Sequence, residues 1–346
     1  MSRVFVLGAG ASAFAGYPLA LDLWRFIRDS DPAESQAREA HAAVMKVIEP
    51  IVRTNLLPQE DGRPNLENLF TQLDLGHMGI GPEELRLGDW PLIRMKIVRL
   101  IVENFRWQEW RFQGQIVHAR YQSGLEVDRT LALSVLAAWA DTLKPGDTIL
   151  SFNWDLLHES ALWRAGKWHF ADGYGFQCRD APDSAHSPVK ILKLHGSVNW
   201  AQESDMDIAA EIENKRDFFE GAADDRNTFL KRRGAWNMGR QLIVPSYIKD
   251  PSANRLLVRI WNQAEAALRQ ADEIIVIGFS LNKADSAARR LLATALDGRS
   301  PAPRLVVVSP DQPEWDMFCY YNLQIKQERI RKRFEDWITT RPFSDD

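Results

Sequence analysis

Val4-Phe5-Val6-Leu7-Gly8-Ala9-Gly10-Ala11-Ser12-Ala13 decides how this chain folds. Arg3 to Leu7 reads as a strand, and its short apolar run is of the kind that becomes buried. It leads without a spacer into the pattern G-x-G-x-x-A. Gly8 permits a tight turn, and Gly10 lets backbone come close to a pyrophosphate. A helix opening after the turn offers unpaired N–H donors and the positive end of its dipole. Strand, glycine loop and helix in that order make a phosphate-binding βα unit, with the helix expected over about residues 13–28. The dinucleotide oxidoreductase form of this unit needs an acidic residue roughly 20 residues on, at the end of a second strand. Asp29 and Asp31 stand at that distance, but Leu21-Asp22-Leu23-Trp24-Arg25-Phe26-Ile27 before them reads as helix. A different nucleotide geometry is required.

Further apolar runs lie at 148–152, 189–194, 241–244, 273–277 and 304–308. Most are near-continuous rather than alternating, as in strands covered on both faces of a parallel sheet. Helical periodicity occupies 256–270 and 285–296 between them. The expected fold is α/β, a doubly wound, Rossmann-like parallel sheet with its ligand cleft at the strand C-termini. The stretch between the first two strands is helical instead, over 36–53, 65–75, 90–112 and 129–142. Residues 30–129 therefore read as a helical insertion into a core made of 1–29 and 130–346. Residues 201–240, rich in charge, read as a second, small helical insertion.

Composition narrows the function. With 13 Trp and 16 Phe in 346 residues, the chain has ample surface to bury and is not disordered. A net charge of −4 gives no global basic field for nucleic acid. The basic runs 231–233 and 329–333 read as solvated helix faces. Two cysteines, Cys178 and Cys319, supply neither a disulfide framework nor a four-cysteine zinc site. The opening strand is unlike a signal peptide, and no apolar run approaches the roughly 18–20 residues that span a bilayer. A soluble, cytoplasmic protein is expected.

Four segments at the ends of expected strands carry polar groups: Ser151-Phe152-Asn153-Trp154-Asp155, Lys193-Leu194-His195-Gly196-Ser197, Ile277-Gly278-Phe279-Ser280 with Asp285, and Val308-Ser309-Pro310-Asp311. Together with the glycine loop and Gly16-Tyr17-Pro18, this order resembles the sirtuin (SIR2) superfamily. It is similar in particular to the bacterial SIR2-like NADases of anti-phage defence. Asn65-Leu66-Glu67-Asn68-Leu69-Phe70 resembles a short acidic-apolar helix of that branch. The resemblance covers about 1–28 and 130–311. It implies that Gly8, Ala9, Gly10 and Ser12 hold the pyrophosphate of NAD+. It makes Asn153 and His195 the catalytic pair, with Asp155 the acid beside them. Gly278, Ser280, Asp285 and Ser309 fall on the adenosine side, although Asp285 at the start of a helix also fits a cap. The other six histidines, His41, His77, His118, His158, His169 and His186, read as core or surface.

Departures from the deacetylase pattern are as informative. Gly16-Tyr17-Pro18-Leu19-Ala20-Leu21 stands where those enzymes carry Gly-Ile-Pro-Asp-Phe-Arg, and Phe152 replaces a Gln. Residues 201–240, in the place of their zinc ribbon, contain no cysteine. The resemblance thus implies an NAD+ glycohydrolase that releases nicotinamide and ADP-ribose without a metal and depletes NAD+ during abortive infection. It further implies activation by homo-oligomer assembly or by a partner, an ATPase or an Argonaute-like protein, through which alone nucleic acid is engaged. The helical insertion and residues 320–339 are the expected assembly surfaces. Two other classes stay open: a module that senses NAD+ or ADP-ribose without turnover, and a zinc-independent deacylase or ADP-ribosyltransferase.

Overall fold

The computed structural model describes residues 1–28, 35–53, 59–60, 63–64, 66–80, 90–113, 127–176, 186–200, 242–243, 255–282, 285–310, 315 and 325–340. The second insertion (201–240), both cysteines, Asp29, Asp31, Asp311 and the basic run 231–233 lie outside them. Six strands form one parallel sheet: β1 (Arg3–Leu7), β2 (Thr148–Ser151), β3 (Lys190–Lys193), β4 (Glu273–Ile277), β5 (Arg304–Val308) and β6 (Gln327–Ile330). Their spatial order is β3-β2-β1-β4-β5-β6. The chain therefore starts in the middle, winds outward to one edge, and returns to wind toward the other. Reversal of direction between β1 and β4 creates the switch point at which open α/β sheets bind ligands.

Central strands carry the near-continuous burial that their sequence foretells. Every residue of β4, Glu273–Ile277, is buried, and so are Val4–Leu7 of β1. The helices bury stripes at 3–4 spacing. In α5 (Arg129–Thr142) these are Ala132, Val135, Leu136, Trp139 and Ala140; in α7 (Arg255–Gln270), Leu256, Leu257, Ile260, Ala264 and Leu268. One group, α5 with α6 (Leu157–Arg164) and α9 (Phe334–Thr340), packs together, with Trp139 edge-on to Phe5 at 5.1 Å and to Phe334 at 5.6 Å. The other group pairs α7 with α8 (Ser286–Leu296). Right-handed crossovers to opposite sides of the starting strand put such groups on opposite faces of the sheet. Bidentate Arg3–Asp147 and the Arg304–Glu273 pair close the N-terminal end of the sheet.

The helices α1 (Leu23–Arg28), α2 (Ser35–Arg53), α3 (Leu66–His77) and α4 (Trp90–Gln113) pack around α4. Their apolar residues, among them Val44, Ile48, Phe70, Leu73, Ile97 and Ile101, are continuous with the core of the sheet. Phe105 of α4 forms the junction, touching Tyr17, Phe26 and Trp154.

Three sequence expectations are corrected. Residues 13–28 are not one helix: 3-10 turns at Ala9–Ala11, Ala13–Ala15 and Ala20–Asp22 precede the six-residue α1. Gly16 adopts φ 82°, a left-handed conformation, and Pro18 removes a donor and disfavours helix at Tyr17. The run 241–244 forms no strand at the described Leu242 and Ile243; Ile243 N–H instead makes one bond, to His195 O at 3.0 Å. Part of the basic run 329–333 is strand β6, an exposed edge whose Glu328 and Arg329 face solvent.

Beneath the strand ends lies a buried ionic cluster. Lys193 is fully buried; its Nζ lies 2.8 Å from Glu159 Oε1 and donates to Asp155 O at 2.5 Å. Burial pushes the Glu159 carboxyl up, an effect that the Lys193 charge opposes. His158, packed edge-on to Trp139 and Phe334, has its pKa pushed down to about 4, chiefly by burial, with Lys193 adding to the shift and Asp155 opposing it. Its Nε2 reaches Ala11 O at 3.3 Å, so the neutral ring is a strut under the glycine loop.

Two predictions follow from these contacts. Between pH 6.5 and about 4 the unfolded chain binds a proton at His158 that the folded chain refuses, so this residue makes stability fall on acidification. Its share of the slope is about 1.4 kcal/mol per pH unit. Urea unfolding at steps between pH 7 and 4 is expected to show a flatter acid limb in His158→Gln than in wild type; equal limbs contradict the assignment. The second concerns Gly278, at φ +59°, where an added Cβ falls 2.4 Å from Ala11 N. Gly298 shares a positive φ (+64°) but faces open space. Gly298→Ala is expected to cost about 1 kcal/mol, and Gly278→Ala at least about 2 kcal/mol more, read from denaturant midpoints.

Candidate functional site

Two glycine turns meet above the switch point. The Gly8 N–H donates to Ile277 O and the Gly10 N–H to Gly278 O, both at 3.0 Å. A Cβ on Gly8 would lie 2.5 Å from Phe279 Cα, and one on Gly10 2.8 Å from Gly278 Cα. The backbone of the turn after β4 is what comes close to Gly10 at the position a Cβ would take. Ala11 and Ser12 N–H groups also bond within the loop, to Gly8 O and Ala9 O. The Ala9 N–H is not drawn into those bonds. Loop rigidity, rather than the N-terminus of a long helix, is what these residues supply.

Asn153 lies two residues past the end of β2 and is buried. Its Nδ2 donates to Gly8 O at 2.9 Å and to Ser12 Oγ at 3.1 Å. A carbonyl oxygen only accepts, so the amide is oriented with both hydrogens on the loop, and Oδ1 is left as the acceptor it can present. Asn153 and Ser12, read separately from the sequence, form one unit with Gly8.

His195 follows β3, and its carbonyl is fixed by Trp154 Nε1 (3.1 Å) and by the N–H of Ile243 (3.0 Å). Trp261 Nε1 bonds the preceding carbonyl, that of Leu194, at 2.9 Å. The imidazole Nε2 lies 3.5 Å from Asp285 Oδ2, both side chains being largely buried. Asp285 occupies the cap position of α8 but makes no side-chain cap bond; its carboxylate faces the histidine instead. The ring of Phe152 ties the two halves together. It stacks on Phe279 (4.2 Å, 3° between planes) and meets His195 edge-on at 5.0 Å. Phe152 adjoins Asn153 and Phe279 abuts Gly8, so His195, Asp285, Asn153 and the glycine loops occupy one neighbourhood at the C-terminal ends of β1–β4.

The turn that delivers Asp285 is strained. Leu281 is fully buried with φ 52°, a conformation that costs a side-chain-bearing residue about 1–3 kcal/mol. Such a geometry persists only where its surroundings over-determine it. Trp315 Nε1 donates to Phe279 O at 2.6 Å, and Arg289 Nη1 to Leu281 O at 3.2 Å.

Other expected site residues fare differently. Asp155 Oδ1 accepts from Leu157 N–H at 3.1 Å, starting α6, and its carbonyl belongs to the buried Lys193 cluster. These two contacts tie Asp155 to the start of α6 and to the Lys193 cluster. Ser280 is exposed beside the site, and Ser309, half-buried after β5, gives its N–H to Ile330 O at 3.1 Å. Lys193, Glu159 and Phe152 are the residues that residue type alone did not single out. A lysine as the last residue of an otherwise buried strand was the available signal. Among the described residues no group of three or more His, Cys, Asp or Glu forms a metal cluster, and no helix is long and apolar enough to cross a membrane.

No protein-family model matches the sequence, and no curated protein does. Among solved structures, the chain is similar to a Sir2 homologue, a mutant in complex with 2′-O-acetyl ADP-ribose, at 13% identity and a TM-score of 0.43. That likeness covers 97% of this chain and 88% of the other. It is likewise similar to a structure described as a basis for the mechanism and regulation of Sir2 enzymes, at 15% identity and a TM-score of 0.39, over 98% of this chain and 88% of the other.

Proposed function

We infer that the protein is an NAD+ glycohydrolase, releasing nicotinamide and ADP-ribose. The observation that carries this reading is the His195–Asp285 pair, set beside Asn153 and the joined glycine turns at the switch point of the sheet. In the reaction the bond between ribose C1′ and the nicotinamide nitrogen breaks, and its electron pair neutralises the departing ring. Water attacks the oxocarbenium-like C1′ and gives up a proton. A histidine whose Nε2 stands 3.5 Å from a carboxylate is suited to take that proton, since the nearby negative charge stabilises the imidazolium that forms. Asn153 Oδ1 supplies an acceptor for water or a ribose hydroxyl, while its Nδ2 holds the loop still. The Ala9 N–H, outside the bonds within the loop, would serve as a donor to a phosphate oxygen. Ser280 and Ser309, after neighbouring strands, suit the adenosine end.

Asp155 has no step in this scheme. The stack of Phe152 on Phe279 fills a position that the motif order gives to an amide in deacetylases, which favours hydrolysis over transfer to a peptide. The same motif order supports a role as an NAD+-depleting effector of anti-phage defence, switched on by assembly or by an ATPase or Argonaute-like partner.

The test is incubation of purified protein, alone and with the product of its neighbouring gene, with NAD+ and separation of products. Equimolar nicotinamide and ADP-ribose are expected. His195→Ala is expected to lower the rate at least about 100-fold and Asp285→Asn at least about 10-fold, each with the melting temperature preserved. NAD+ left intact at high enzyme concentration refutes the reading. Nicotinamide released only when a protein acceptor is added points to a transferase instead, and binding without turnover to a sensor.

A further inference from the structure

The helical insertion reaches the turn that carries Asp285. Glu67, in the first turn of α3, is buried, and its Oε2 accepts a hydrogen bond from Asn282 Nδ2 at 2.7 Å. Asn282 O in turn accepts the N–H of Asp285 at 2.9 Å, and Asp285 Oδ2 stands 3.5 Å from His195 Nε2. A short chain of contacts thus runs from the insertion to the histidine. It crosses the strained segment, since Asn282 directly follows Leu281 at φ 52°. Trp315 and Arg289 hold Phe279 and Leu281 by their carbonyls, whereas Glu67 holds the far side of the strained residue by a side chain.

The same insertion grips other parts of the site. Gln108 of α4, buried, donates to Gly16 O at 3.2 Å, just beyond the glycine loop. Arg94 of α4 donates to Leu242 O at 3.1 Å, next to Ile243, whose N–H bonds His195 O. Three separate segments that converge on the site are therefore each tied to α3 or α4. Of these ties, the one from Glu67 acts on the residue that pairs with His195.

We propose that Glu67 is a positioning residue, supplied by the helical insertion, that holds Asn282 and so sets Asp285 against His195. The bond needs only an acceptor oxygen, because the donor is a neutral amide. Glu67→Gln keeps that acceptor and Glu67→Leu removes it at similar volume. Asn282→Ala cuts the same bond from the other side, on a partly exposed residue, and serves where Glu67→Leu does not fold.

The test follows the His195 ring by NMR in the full-length protein, its signal assigned by its loss in His195→Gln. Loss of a facing carboxylate lowers the titration midpoint of a histidine. Asp285→Asn is expected to lower it by about one unit, and Glu67→Leu and Asn282→Ala to lower it by about half a unit or more, while Glu67→Gln titrates as wild type. In the kinetic arm, which rests on the NAD+ reading above, Glu67→Leu lowers kcat about 10-fold with KM little changed, and Glu67→Gln restores it. An unchanged His195 midpoint in both Glu67→Leu and Asn282→Ala overturns the proposal. So does an unchanged midpoint in Asp285→Asn, since there is then no pair to position. The NMR arm needs no turnover. An inactive wild type therefore refutes the glycohydrolase while this result stands or falls by itself.

Discussion

Contact between two main chains sets the terms for the rest of the molecule. Where the turn after β1 meets the turn after β4, no side chain fits: Gly8, Gly10 and Gly278 abut one another and Phe279 at distances that a Cβ would violate. Two hydrogen bonds, from Gly8 to Ile277 and from Gly10 to Gly278, extend the pairing of the central strands beyond the sheet itself. The joined turns form a rigid floor at the one place where a doubly wound sheet reverses direction. Asn153 locks onto that floor from one side and His158 supports it from below.

Chemistry then separates by depth. At the lower level, Lys193, Glu159 and neutral His158 are sealed among apolar side chains. A buried ion pair adds little net stability, because desolvation cancels much of its attraction, but removing one partner leaves the other uncompensated. At the upper level, His195 and Asp285 keep a little solvent contact at the mouth of the strands. Phe152 joins the upper level to the glycine turns, stacking on Phe279 while touching the histidine edge-on.

The sheet was legible because its strands are buried on both faces: Ile274-Ile275-Val276-Ile277 and Leu305-Val306-Val307-Val308 leave no other reading. β6 was not legible, since Gln327-Glu328-Arg329-Ile330 lies at the edge and carries charge where the others carry Val and Ile. A helix over 13–28 looked sound from apolar spacing, yet one left-handed glycine and one proline outweighed it. Polar residues at strand ends are legible as types, and Asn153 and His195 do lie just past the ends of β2 and β3. Their partners are not legible. Asp285 precedes a helix, so local logic makes it a cap; only the fold brings it to a histidine on another strand. At Gly10 the sequence states that something comes close without stating what; one such neighbour is the backbone of Gly278.

The two borders of the sheet differ in a way that bears on contact between copies. β3 is not bare: Ile191 gives its N–H to Gly173 O and Val189 gives its N–H to Lys167 O, so the segment after α6 occupies that flank. Among the described residues no strand pairs with the outer side of β6, which presents Glu328 and Arg329 to solvent. A charged, four-residue border strand is a poor template for another chain to add to. Coverage on one flank and charge on the other discourage growth of the sheet from molecule to molecule.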